Sequence, residues 1–227
     1  MNAARARGAA LVALVGVVLA GAAAGEAQGD RAPADTRLVV VGLALAVPTW
    51  ALGTVVHEGS HSVAAELVGA DTVSFRPWPG RDAHSGAWQF GLTRVRGLAG
   101  DGEKLFFYMA PKLTDLAMLG GYLAMYETGA YPDGAYGQLV LTVLATGFWV
   151  DFMKDTFVFS PHNDLVKSMK IVGFKNEWQR LPVRVGFAAA SAGLGYLVLR
   201  GYDRMFALND EATAGVPIVL PVLSGRF

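Results

Sequence analysis

Five consecutive residues, His57-Glu58-Gly59-Ser60-His61, carry the most specific chemistry in this sequence. In a helix, side chains four apart share one face, so His57 and His61 can close on a single metal ion with Glu58 beside it. Zinc takes histidine nitrogens at about 2.0–2.1 Å, and its catalytic sites use three protein ligands and leave a position for water. An ion held there lowers that water's pKa from about 15.7 toward about 7, which supplies a nucleophile at neutral pH. Glu58 has the place of the general base, taking the water's proton and delivering it to a leaving amine. Two histidines without the carboxylate between them would hold a metal but lack that base. The bland alternative is a surface helix with two incidental histidines. The setting argues against it, because a charge inside an apolar membrane run costs roughly 2.5–3.5 kcal/mol.

The elements that must position this motif follow from composition. The chain has no cysteine, which removes disulfides, thiolate ligands and thiol nucleophiles together. Any further ligand is therefore His, Asp or Glu. Of 227 residues, 53% are hydrophobic and only 17% charged, against about 25% charged in a typical soluble domain. Mean hydropathy is +0.36. The 19 basic and 19 acidic residues balance, and the basic ones are scattered, so no nucleic-acid partner is expected.

The apolar residues fall in long runs, and the fold class they predict is mainly α: a multi-span transmembrane helix bundle. Residues 38–56 are apolar apart from Thr49, Thr54 and the kink-forming Pro48. At about 1.5 Å per residue this run crosses roughly 28 Å, close to the hydrocarbon thickness. The helix is expected to continue through the motif to residue 68. Further spans are predicted at 105–126, which holds Pro111, Lys112 and Asp115, at 136–159, which holds Asp151, Lys154 and Asp155, and at 183–199. Between the first two, residues 71–97 alternate polar and apolar types around Pro77, Pro79, Gly80 and Gly86. That pattern predicts a small β-rich insert, a hairpin at the membrane surface. Residues 218–223 are too short to span and read as an interfacial strand or loop.

Arg5 and Arg7 precede an apolar run at 9–24 and small residues near 25–27, the order of a signal peptide, with an uncleaved N-terminal transmembrane segment as the competing reading. The expected division is thus 1–27 for that segment, 28–37 for a short polar linker, 38–200 for the membrane-embedded domain and 201–227 for a C-terminal tail. Arg76, Arg81, Arg94, Arg96 and Lys104 load the first loop, and Lys167, Lys170, Lys175 and Arg180 the third, whereas residues 127–134 have no Lys or Arg. The positive-inside rule then puts the first and third loops in the cytoplasm. The motif and the polar cluster at 162–164 would reach that same face.

An ordered series of motifs resembles the site-2 proteases, intramembrane zinc metalloproteases, over residues 39–172. Val55-Val56-His57-Glu58-Gly59-Ser60-His61-Ser62-Val63-Ala64-Ala65 ends one span and precedes the β-rich insert. Met109-Ala110-Pro111-Lys112-Leu113-Thr114-Asp115 looks like the family's Gly-Pro-x-x-Asn element, and Phe157-Val158-Phe159-Ser160-Pro161-His162-Asn163-Asp164 lies where the family has a Pro-rich turn ending in its third zinc ligand. The resemblance implies a single Zn2+ held by His57, His61 and Asp164, with Glu58 as catalytic base. The chain departs from the family pattern at Ser60 and Leu165, where glycine is usual, and at Asp115, where Asn is usual. It also implies a membrane-protein substrate cut in or near a transmembrane segment, as in regulated intramembrane proteolysis.

Other polar residues keep alternatives open. Asp164 could instead cap a helix at 165–172. His162 and Asp151 are rival metal ligands, and Asp151 could equally pair internally with Lys154 and Asp155. Lys112 and Asp115 could neutralise each other. Asp115 and Asn163 are candidates for substrate binding. His84 reads as a solvated loop histidine, and Trp50, Tyr108, Tyr126 and Tyr136 as interfacial anchors or packing. The expected activity is that of a zinc-dependent endopeptidase in the bilayer, its site facing the cytoplasm across a bacterial inner membrane. The alternative is a non-catalytic membrane scaffold or metal-binding protein with a degenerate site of the same kind.

Overall fold

The computed structural model describes residues 35–83, 86 and 88–207. The expected N-terminal segment 1–27, His84 and the expected strand or loop at 218–223 lie outside the described residues. Helix α1 runs from Asp35–Leu67, so it begins inside the expected linker and carries the apolar run, Pro48 and the histidine motif without a break. Gly69 stops it by taking a left-handed conformation (φ 78°). The amide of Ala70 then donates to the Ala65 carbonyl at 2.8 Å, closing the helix end.

The insert follows as β1 (Asp71–Arg76), β2 (Gly80–Arg81), β3 (Trp88–Gln89) and β4 (Leu92–Arg96). Its strands form two nested antiparallel pairs. β1 lies against β4, with a bulge between Thr72 and Ser74, and β2 lies against β3. The alternation read from the sequence at 71–97 thus becomes a folded-over hairpin whose base packs on α1. Helix α2 (Asp101–Thr128), helix α3 (Ala135–Phe157), the short α4 (Asp164–Ile171) and α5 (Glu177–Ala207) complete the described chain.

Helix α3 is the hub and packs against each of the other four helices. The small residues of α5 allow close approach to it: a Cβ at Gly195 would lie 2.7 Å from the Trp149 ring. The Trp149 indole N–H donates to the Ser191 carbonyl at 2.7 Å across the same contact. Near the start of α1, Leu38, Leu139, Val143 and Met205 form a buried apolar cluster joining α1, α3 and α5. Helix α5 exceeds the expected 183–199 at both ends. Arg180 and Arg184 are buried and hydrogen-bonded at its start, and Met205 is buried in the cluster just named, which carries the helix into the expected tail.

Among the described residues, three helices, α1, α3 and α5, are long and apolar enough to cross a membrane. Helix α2, expected to be a span at 105–126, is not one of them. It is long enough at 28 residues, but its interior face carries Lys112 and Asp115, and Asp101, Glu103 and Lys104 crowd its first turn. Outward-facing positions on α1 are strongly apolar, with Leu43 and Val47 each 70% exposed. A water-facing helix would place polar residues there.

Candidate metal centre

Fold geometry brings two helices to one point. Helix α1 supplies His57 and His61 near its C-terminal end, one helical turn apart, and their ring centroids are 5.2 Å from each other. Asp164, the first residue of α4, is brought across to them by the turn after α3. One ligand atom from each of His57, His61 and Asp164 lies within 4.8 Å of the other two, a group that could hold a metal ion. Asp164 Oδ2 is 3.1 Å from His61 Nε2 and 3.6 Å from His57 Nε2. Tetrahedral ligands at zinc's bond lengths of about 2.0–2.1 Å stand roughly 3.3–3.4 Å apart, so these separations suit one small ion between them.

The far side of each ring is anchored. His61 Nδ1 is 2.8 Å from the Phe107 carbonyl of α2, and His57 Nδ1 is 2.7 Å from Asp151 Oδ2 of α3. An N–H at each Nδ1 donating to those oxygens leaves both Nε2 lone pairs for the metal. Asp164 is divided in the same way, Oδ2 facing the histidines and Oδ1 accepting from Lys167 Nζ at 2.9 Å. Burial opposes the charge on Asp164, but hydrogen bonds from His57 and His61 outweigh it and hold the carboxyl well below the usual carboxylate range. The donor set of two imidazoles and one carboxylate matches what zinc takes in hydrolytic centres.

Capping of α4 falls to the neighbouring residue. Asn163 Oδ1 accepts from the Val166 amide at 3.1 Å, and its Nδ2 donates to Asp155 Oδ1 at 3.0 Å. The expectation that Asp164 caps this helix is corrected: Asn163 precedes it in extended backbone and makes the cap, leaving Asp164 free to turn toward the histidines. Leu165, where the resembled family has glycine, is buried with Val166 and Met169 and does not displace Asp164. His162 is exposed and outside the ligand group. Asp151 touches the group through His57 Nδ1, on the side of the ring away from Asp164.

Glu58 is 8% exposed, and the insert reaches back to it. Thr93 Oγ1 of β4 donates to the Glu58 carbonyl at 3.0 Å. Gly91, between β3 and β4, is so close that a Cβ there would lie 2.5 Å from Glu58 Oε1 and 2.6 Å from its Cγ. Only glycine leaves the carboxylate where it stands. His57, Glu58, Phe90, Gly91 and Asp151 form one end of a cavity of about 820 Å³ between α1 and α3, which extends past Thr49 and Thr146 to Leu38, Leu139 and Met205. Neither Asn163 nor Asp115 lines it.

Behind the ligands lies a buried charge cluster. Lys112 is 1% exposed. Its Nζ lies 2.9 Å from Asp155 Oδ2, 3.7 Å from Asp115 Oδ2 and 3.9 Å from Asp151 Oδ2, and it also donates to the Asp151 carbonyl. Lys154 pairs with Asp151 Oδ1. The expected pairing of Lys112 with Asp115 is thus one contact of several. That Asp151 would hold His57 escaped the sequence reading; its one signal was an ionisable residue inside an apolar helix. The anchoring carbonyl of Phe107 and the approach of Gly91 had no sequence signal. No known protein family, curated protein or solved structure matches the chain.

Proposed function

We propose that the protein is a zinc-dependent endopeptidase of the membrane, which hydrolyses a peptide bond in or near a transmembrane segment of another membrane protein. One observation carries the reading. The ligand atoms of His57, His61 and Asp164 meet around a point on a helix apolar enough to span a bilayer, and Glu58 sits beside them at the end of a long apolar cavity. In this reading α1, α3 and α5 span a bacterial inner membrane as a bundle, with the metal centre toward the cytoplasmic side where basic residues are concentrated.

A zinc ion held by His57, His61 and Asp164 would supply Lewis acidity toward a carbonyl oxygen and a bound water. The remaining work belongs to the chain. His57, His61 and Asp164 would fix the ion, and the apolar walls of the cavity flank the scissile bond. Glu58 accepts a proton from the attacking water as its oxygen bonds to the carbonyl carbon, then passes that proton to the amide nitrogen as the C–N bond breaks. The two products are a carboxylate and an amine.

The test is Glu58→Gln in the full-length chain, reconstituted with membrane proteins from its own host. Wild type should generate new N-termini inside or beside transmembrane segments, read by mass spectrometry. Glu58→Gln should keep about one zinc per chain and lose those termini, a fall in rate of at least about 100-fold for removal of a general base. Unchanged cleavage in that variant would sink the mechanism. Wild type that binds zinc but cuts nothing would favour the alternative, a non-catalytic metal-binding scaffold.

A further inference from the structure

We propose that Asp151 is a positioning residue of the metal centre: it fixes the His57 ring with Nε2 turned to the ion, and Lys112 and Lys154 hold Asp151 in that place. The inference rests on the metal-binding part of the reading above and is independent of whether the substrate is a peptide.

The two histidine ligands are secured by different means. His61 leans on the Phe107 carbonyl, which helix α2 holds without help. His57 leans on a side chain, and a carboxylate on a rotatable stem orients a ring only if it is itself restrained. Asp151 is restrained at three points. Oδ2 faces His57 Nδ1 at 2.7 Å, Oδ1 is paired with Lys154, and Lys112 Nζ stands 3.9 Å from Oδ2. Each carboxylate oxygen has its own partner, so the rotamer is determined from both sides.

The burial of Lys112 is otherwise hard to account for. A buried ion pair seldom adds stability over apolar residues of similar volume, because desolvation consumes the Coulomb attraction. Yet Lys112 lies at the centre of α2 with 1% exposure, surrounded by Asp115, Asp151 and Asp155. Among those acids only Asp151 touches a member of the ligand group. Holding that carboxylate against a metal-binding imidazole gives the cluster a role that packing alone does not. Carboxylates behind metal-bound histidines also raise ligand basicity, and their loss commonly weakens metal binding about 10- to 100-fold.

The experiment measures zinc affinity of the purified full-length chain in detergent, by competition with a chromophoric chelator, and the visible spectrum of the Co2+-substituted protein. Asp151→Ala should weaken zinc about 10- to 100-fold and alter the Co2+ bands. Asp151→Asn is nearly isosteric and still accepts a hydrogen bond from Nδ1, so it should give a smaller loss of the same sign. Lys112→Met should also weaken zinc, and because it leaves Asp115 and Asp155 buried without their cation, thermal stability should fall with it. Wild-type affinity and spectrum in both Asp151 variants would overturn the proposal. If Asp151→Ala does not fold, Asp151→Asn alone decides, and unchanged affinity there is likewise fatal. Unchanged zinc affinity in Lys112→Met would overturn the role given to Lys112, whatever its stability. Absence of zinc from wild type would remove the function proposed above together with this one. Zinc without proteolysis would remove only the former.

Discussion

The two ends of this mainly helical fold bury polar groups on opposite terms. At the end formed by the C-terminal half of α1 and of α3, the buried groups are ionisable: His61, Glu58, Lys112, Asp115 and Asp155 are each under 9% exposed. At the other end, where α2 finishes and α3 begins, they are neutral. Tyr131 Oη shares a hydrogen bond of 2.6 Å with Thr142 Oγ1, and Gln138 Nε2 donates to the Pro132 carbonyl at 2.8 Å. Tyr122, Tyr126 and Tyr131 pack edge to face or tilted around them. Charges at that end stay at the rim, where Arg200 pairs with Glu127 at 2.9 Å. A neutral hydroxyl or amide oxygen left without a partner, as Tyr122 Oη and Gln138 Oε1 are, costs less than a buried ion, which costs several kcal/mol before its partners offset it. The neutral end is built as packing; the ionised end retains charges that packing alone would replace.

That contrast is open to direct attack. The largest effect belongs to His61→Ala, which removes one ligand and should take bound zinc from about one per chain to none by metal analysis, leaving the neutral end folded by near-ultraviolet circular dichroism. Retained stoichiometry would erase the functional half of the comparison. Next comes Gly91→Ala. A methyl group cannot share space with Glu58 Oε1 and Cγ, so the carboxylate must move, and turnover should drop about 10- to 100-fold through misplacement of the base while zinc content is unchanged. A fall in zinc instead would mean that the insert supports the ligands and not the base. The smallest effect belongs to Tyr131→Phe at the neutral end. Loss of its hydrogen bond to Thr142 should cost about 0.5–1.5 kcal/mol, read as a lower melting temperature in detergent with zinc affinity unaltered.

Sequence reasoning succeeded where spacing along one element decides the outcome. A turn of helix sets His57 over His61, apolar run length sets α1 and α3, and strict alternation around prolines sets the insert. It was weaker where neighbouring residues compete for one role. Asn163 and Asp164 are both good helix caps, and only the tertiary position of His61 determines that Asn163 caps while Asp164 faces the rings. Asp151 shows the opposite difficulty. Its contact with His57 spans 94 positions, and nothing along α3 distinguishes an oxygen meant for an imidazole from one meant for a lysine. Helix α2 reads as a span because its apolar count is high; its polar residues turn inward toward Asp151 and Asp155, and that direction is a property of the packed helices.

The cavity beside α1 grades from hydrocarbon at Leu38, Leu139 and Met205, through the hydroxyls of Thr49, Thr146 and Tyr202, to ionisable groups at His57, Glu58 and Asp151. One continuous space is therefore three solvents in sequence. A flexible molecule lying along it would partition itself by polarity, its greasiest part settling farthest from Glu58, while water is favoured increasingly toward the ionisable end. The gradient would set the register of whatever lies in the cavity before any side-chain pocket is consulted.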